Sequence, residues 1–243
     1  MKKLFFAFFL FSAIHLSAQK PTINVVVCLY ERIDFNTDYP LTEIGNINEV
    51  DESKVYDSLI ALLGKQFQLY SNRNVQFEVL TPEQSYYFTQ KGRKSQMSDP
   101  SRYGIDLSAI SDREYWVFMN NHKADYLLFI NYYSIDKYRI PEADMEAFKR
   151  TLPNEELYLI ESLSRNRPLY SEHSVDFDIF DENKNRFLSK GRFTIPIVKY
   201  NSKTISQKGV GFKTLNRSYD GLVDKIWNEL AKEIEEKRAE EQQ

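Results

Sequence analysis

Apolar residues follow two rhythms along this chain. Ile23 to Tyr30 is a run rich in β-branched residues, bounded by Pro21 and a polar stretch from Glu31, which predicts a strand buried on both faces. From Asp51 to Asn72 the rhythm changes: Val55, Leu59, Leu62, Leu63, Phe67 and Tyr70 recur at helical spacing and predict one amphipathic helix. Val75, Phe77 and Val79 then alternate as a strand that Pro82 stops.

A second helix is predicted from Ser111, where Ser-x-x-Glu (Ser111 and Glu114) forms a capping box, to about His122. ADYLLFINYYSI, residues 124–135, reads as a long aromatic strand. Residues 141–165 read as a helical insert broken at Pro153, because proline cannot continue the hydrogen-bond ladder. Tyr170 to Phe180 and Phe187 to Lys199 read as two strands, and Lys203 to Phe212 as a weaker one. Tyr219, Leu222, Val223, Ile226, Trp227, Leu230 and Ile234 share one face of a C-terminal helix. The tail EIEEKRAEEQQ loses that stripe, so residues 236–243 are read as a polar, fraying end. This order predicts an α/β (α+β) fold: a mixed, largely antiparallel sheet packed by amphipathic helices, in a single domain over residues 19–235.

Between the two strands of the second half lies DENKN. A calcium loop opening at Asp181 would place Asn183 and Asn185 at its third and fifth positions, but Arg186 then replaces the bend glycine and Arg192 the closing carboxylate. Flanked by Val175, Phe177, Ile179 and Phe187, the run predicts a hairpin turn instead, with Asp176 and Asp178 on the outward face of the strand. Asp125 opens a strand after a helix, where α/β proteins often place functional groups; its plainer role is to end the turn or bond a loop amide.

The irregular stretch SYYFTQKGRKSQMSDPSRYGIDLS, residues 85–108, reads as a long loop and the candidate binding segment. Lys91, Arg93, Lys94 and Arg102 are interleaved there with Tyr86, Tyr87, Phe88 and Tyr103, a combination able to stack on bases or sugars and hold anions.

Composition narrows the function classes. In a chain of 243 residues, 42% apolar content supports a core, and a net charge of −3 with interspersed signs gives no global pull toward nucleic acid. Lys2 and Lys3 precede an apolar run from Leu4 to Ile14, followed by Ser17 and Ala18, the layout of a signal peptide over residues 1–18. The chain is therefore expected to be exported, to the periplasm or beyond, with no integral membrane span after cleavage. Cys28, the only cysteine, sits inside a predicted strand, which points away from a lipoprotein and toward a buried thiol. No metal-ligand spacing, phosphate loop or nucleophile elbow is present, so no catalytic residue, cofactor or metal is expected. A carboxylate pair brought together only in space stays open.

Three stretches, VYDSLIALLGKQFQLYSNRNVQFEVL, ADYLLFINYYSI and VDFDIFDENKNRFLSKGRF, together with the final helix, follow the order of a known envelope α/β group. That group includes the curli-secretion-channel subunit, the outer-membrane lipoprotein activator of peptidoglycan synthase and the amino-terminal domain of TolB. The chain resembles it at Val55 to Leu80, Ala124 to Ile135 and Val175 to Phe193, with Lys123 where the group commonly has glycine. The resemblance implies a non-catalytic module that docks onto an envelope protein. The alternative is a protein that binds cell-wall glycan or cleaves it with carboxylates.

Overall fold

The computed structural model describes residues 22–72, 74–96, 103–139, 169–197 and 210–240. The predicted leader and the insert at 141–165 lie outside them. Eight strands are described: β1 (Ile23–Cys28), β2 (Phe35–Thr37), β3 (Val75–Val79), β4 (Arg93–Gln96), β5 (Tyr103–Asp106), β6 (Tyr126–Arg139), β7 (Leu169–Asp181) and β8 (Arg186–Ile197). Five α-helices accompany them: α1 (Leu41–Asn48), α2 (Val55–Tyr70), α3 (Pro82–Lys91), α4 (Asp112–His122) and α5 (Phe212–Glu240). Among these residues no helix is long and apolar enough to cross a membrane.

The main sheet runs β3-β1-β6-β7-β8, with β2 continuing beside the later half of β6. β1 pairs in parallel with β3 and β6, whereas β6, β7 and β8 form an antiparallel meander, so the open sheet is mixed, as predicted. Both sheet faces are covered. Successive strand residues point to opposite sides, and Val25, Val27, Leu128 and Ile130 join the core beneath α2 and α5, whereas Val26, Cys28, Leu127 and Phe129 join a second core beneath α3 and α4. Val25 to Cys28 of β1 are therefore buried on both faces, although the strand ends at Cys28.

Polar contacts fix α5 to the rest. Asn48 holds its start, accepting from the Phe212 amide at 2.6 Å and donating to the Val210 carbonyl at 3.0 Å. Gln66 donates to Asn216 at 2.6 Å and Tyr70 to Asp224 at 2.6 Å, tying α2 to α5. Phe212, expected at the end of a weak strand, instead opens this helix, because the Asn48 side chain supplies an amide acceptor that the local sequence does not show. Gly221 lies within α5, and a Cβ added there meets nothing within 4 Å. Gly221→Ala should thus stabilise the protein by about 0.5–1 kcal/mol by restricting the unfolded backbone, read as a higher urea midpoint.

The edge strand β3 is blunted by its own leading loop. Ser71 Oγ accepts from the Phe77 amide at 2.9 Å, and the Asn72 amide donates to the Val75 carbonyl at 2.8 Å. Loop groups thereby occupy backbone positions that a further strand would use.

Candidate interaction surface and buried polar clusters

The stretch 85–108 is not one long loop. Its first part belongs to α3, where Thr81 accepts from the Gln84 amide at 3.3 Å, Gln84 answers to the Thr81 amide at 2.9 Å, and Pro82 occupies the first turn. Thr-Pro-Glu-Gln is a helix-start signal legible in the sequence: Pro82 both ends β3 and begins α3. The chain then forms a hairpin in which Arg93 pairs with Asp106, Lys94 with Ile105 and Gln96 with Tyr103. Gly92 permits the close turn between helix and hairpin, since a Cβ there would lie 2.6 Å from the Phe88 carbonyl oxygen.

The candidate binding residues are accordingly divided. Tyr86 and Tyr87 stand on α3, 57% and 39% exposed. Lys91 lies 4.9 Å from the centre of the Tyr87 ring and 2.7 Å from Glu114 of α4. This partner raises the Lys91 pKa, and the same contact, with help from Ser111, lowers Glu114 to about 2. Lys91 thus serves first as a helix-to-helix link. Arg93, Lys94 and Tyr103 lie on the hairpin strands, and Arg102 is outside the described residues. Sequence reasoning missed the other half of this surface: Trp116 and Val117 on α4 are 61% and 41% exposed. The two helices meet through Phe88 and Phe118, whose ring centres are 4.4 Å apart.

Asp176 and Asp178 do not face solvent. They are 2% and 0% exposed; on the face of β7 that simple alternation assigns to water, Phe180 joins the core beneath α3 and α4, and the Ile105 amide of β5 reaches Asp178. Asp178 is the centre of a donor cluster. Its Oδ2 accepts from the Ile105 amide at 2.9 Å and from Asn131 Nδ2 at 2.8 Å, while its Oδ1 accepts from the Ser189 hydroxyl and lies 3.5 Å from Arg186 Nε. Arg186 in turn donates to the Ile105 carbonyl at 2.6 Å. Asn131 reaches the cluster at a register shift between Ile130 and Tyr132, the kind of irregularity that re-aims a side chain.

A second cluster lies under α5. His173, Tyr133, Tyr219 and Tyr30 are each at most 2% exposed. Tyr133 donates to the Tyr219 hydroxyl at 2.7 Å and contacts His173 Nδ1, and it stacks on Tyr30 with ring centres 4.9 Å apart. His173 Nε2 and the Tyr30 hydroxyl have no hydrogen-bond partner among the described residues. Burial lowers the His173 pKa to about 3 and raises those of the three tyrosines. It also raises Cys28 to about 12, which leaves an unreactive thiol.

The remaining acidic candidates have structural roles. Asp125 Oδ2 accepts from the Asn24 amide at 2.7 Å, joining β6 to β1. Asp181 Oδ1 accepts from the amides of Asn183 and Asn185 at 2.9 and 2.8 Å, closing the β7–β8 turn around Lys184 in the left-handed region (φ 63°). DENKN is therefore a hairpin turn, with its lead carboxylate spent on backbone. Among the described residues, no three His, Cys, Asp or Glu side chains gather as a metal-binding group. Lys123, where glycine was the resembled group's usual residue, adopts the left-handed C-cap of α4 (φ 50°), the position that glycine favours.

No protein-family model and no curated protein matches the chain. A solved structure of a neuraminyllactose-binding hemagglutinin homolog from Helicobacter pylori is similar at 13% identity, over 90% of this chain and 92% of that one, with a TM-score of 0.35. At that score, neither architecture nor ligand carries from one chain to the other.

Proposed function

We propose that this chain is an exported, non-catalytic docking module of a bacterial envelope, akin to the group it resembles, and that the α3–α4 layer is its contact face for another envelope protein. The observation that carries this reading is the exposure of Tyr86, Tyr87, Trp116 and Val117 on two packed helices. Large apolar side chains grouped at a surface mark interaction sites, and tyrosine and tryptophan bury much area at small entropic cost. The engagement of both Asp178 oxygens by donors on neighbouring elements supports a structural role for that carboxylate.

A photo-crosslinking residue placed in cells at Tyr86 or Trp116 should give a discrete adduct, and one at exposed Asp57 of α2, beneath the other face of the sheet, should not. Equal adduct yields at all three positions would overturn the assignment of the face. Recovery of the chain in the cytoplasmic fraction would overturn the export. Saccharide recognition, the second reading, rests on a different part of the surface.

A further inference from the structure

Two hollows adjoin at the end of α5. One, of about 170 Å³, is lined by Trp227 together with Ile23 and Asn74 at the starts of β1 and β3. The other, of about 460 Å³, lies between the last turns of α5, the start of β6 and the β7–β8 turn. They share Ile234 and Arg238, so they lie next to each other along α5, and the pair is termed the groove. Aromatic rings stand in both parts: Trp227 in the first, and Tyr126 and Phe187, with centres 4.9 Å apart, in the second.

The charges of the larger hollow are of both signs. Lys237 and Arg238 come from α5, the former with its ammonium 3.9 Å from the centre of the Phe187 ring, and Asp125, Asp181 and Glu182 come from the sheet side. Asp125 and Asp181 are engaged by backbone amides. Within the described residues, Glu182, Arg238 and the Tyr126 hydroxyl have no hydrogen-bond partner. The groove thus offers an acceptor, donors and flat apolar rings side by side.

From this juxtaposition we infer that the groove binds a neutral oligosaccharide, with one sugar against Trp227, the next against Tyr126, and Arg238 between them. Charge selects the class. A simple anion entering the larger hollow meets the carboxylates of the sheet side, and a cation meets Lys237 and Arg238, so each carries a repulsive cost. A sugar carries no net charge, its hydroxyls both donate and accept, and its C–H face packs on an aromatic ring. The inference is independent of the docking face, since none of the groove residues lies on α3 or α4.

The chain has two tryptophans, so Trp116→Phe leaves Trp227 as the sole indole reporter. In that background, emission should change saturably on titration with at least one of chitotetraose, cellotetraose and maltotetraose. Arg238→Ala and Tyr126→Ala should each weaken the apparent affinity at least tenfold, and Glu182→Ala severalfold. Arg238 and Glu182 are exposed, so their removal tests the groove even if Tyr126→Ala fails to fold. No saturable response to any of the three sugars would overturn the inference. Unchanged affinity in both Arg238→Ala and Glu182→Ala would do the same, as would a response confined to a zwitterionic tripeptide such as triglycine. The crosslinking pattern on α3 and α4 is a separate readout, so the two proposals fail separately.

Discussion

Replacing Asp178 by asparagine should destabilise the protein by more than half as much as replacing it by alanine. Four donors converge on this fully buried carboxylate: the Ile105 amide, Asn131 Nδ2, the Ser189 hydroxyl and Arg186. Alanine leaves all of them without their acceptor, a loss on the order of 3–5 kcal/mol for breaking a buried charged cluster. Asparagine keeps the shape but turns an NH2 group toward at least one pair of those donors, which leaves a cost of roughly 2–3 kcal/mol. Urea denaturation of parent, Asp178→Asn and Asp178→Ala measures both. An asparagine variant within about 0.5 kcal/mol of the parent, the ordinary scatter for a neutral surface substitution, would show that the donors do not depend on the charge.

Acid should weaken the fold through His173. With Tyr133 donating to Tyr219, the Tyr133 oxygen is left to accept from His173 Nδ1–H, and the buried Nε2 faces no acceptor among the described residues. A second proton would therefore enter a fully buried site, and burial holds the folded pKa near 3 against 6.5 for the ordinary side chain. The folded state resists a proton that the unfolded chain accepts. Stability from this group is fully present above pH 6.5 and falls by about 1.4 kcal/mol per pH unit as acidity rises toward pH 3. Between pH 6.5 and 5 the loss is about 2 kcal/mol. His173→Gln, which carries no titrating group, should lose this part of the pH dependence while the carboxylates keep theirs. Parallel pH–stability curves for parent and variant from pH 7.5 to 5 would refute the account.

Both effects lie where local sequence was silent. The alternation of Val175, Phe177 and Ile179 correctly marked the face of β7 that packs beneath α5, and the turn at Asp181 followed from the side-chain chemistry of Asp and Asn. The same alternation placed Asp176 and Asp178 in water because it carries no information about what lies over the other face. Part of that cover, the β4–β5 hairpin and most of α3, lies within a stretch that reads as loop. Thr81, Pro82 and Gln84 did announce α3, but the four-residue strands that follow are too short and polar to declare themselves. His173 is a similar case: one polar residue in a strand has no signature until Tyr133, 40 positions before it, and Tyr219, itself 86 positions beyond Tyr133, close around it.

Periodicity in the sequence by itself determined which segments form β1, α2, β3, α4, β6, β7, β8 and α5, and that they make a mixed sheet layered with helices. Such patterns are local, because each helix or strand must present its apolar residues at its own repeat. Only the tertiary structure decided which polar residues are buried, that Lys91 is joined to Glu114, and that Trp227, Tyr126 and Arg238 line two adjoining hollows. Those relations join residues far apart in the chain, and their energies depend on what excludes water from each group. A linear pattern specifies neither the neighbour nor the solvent.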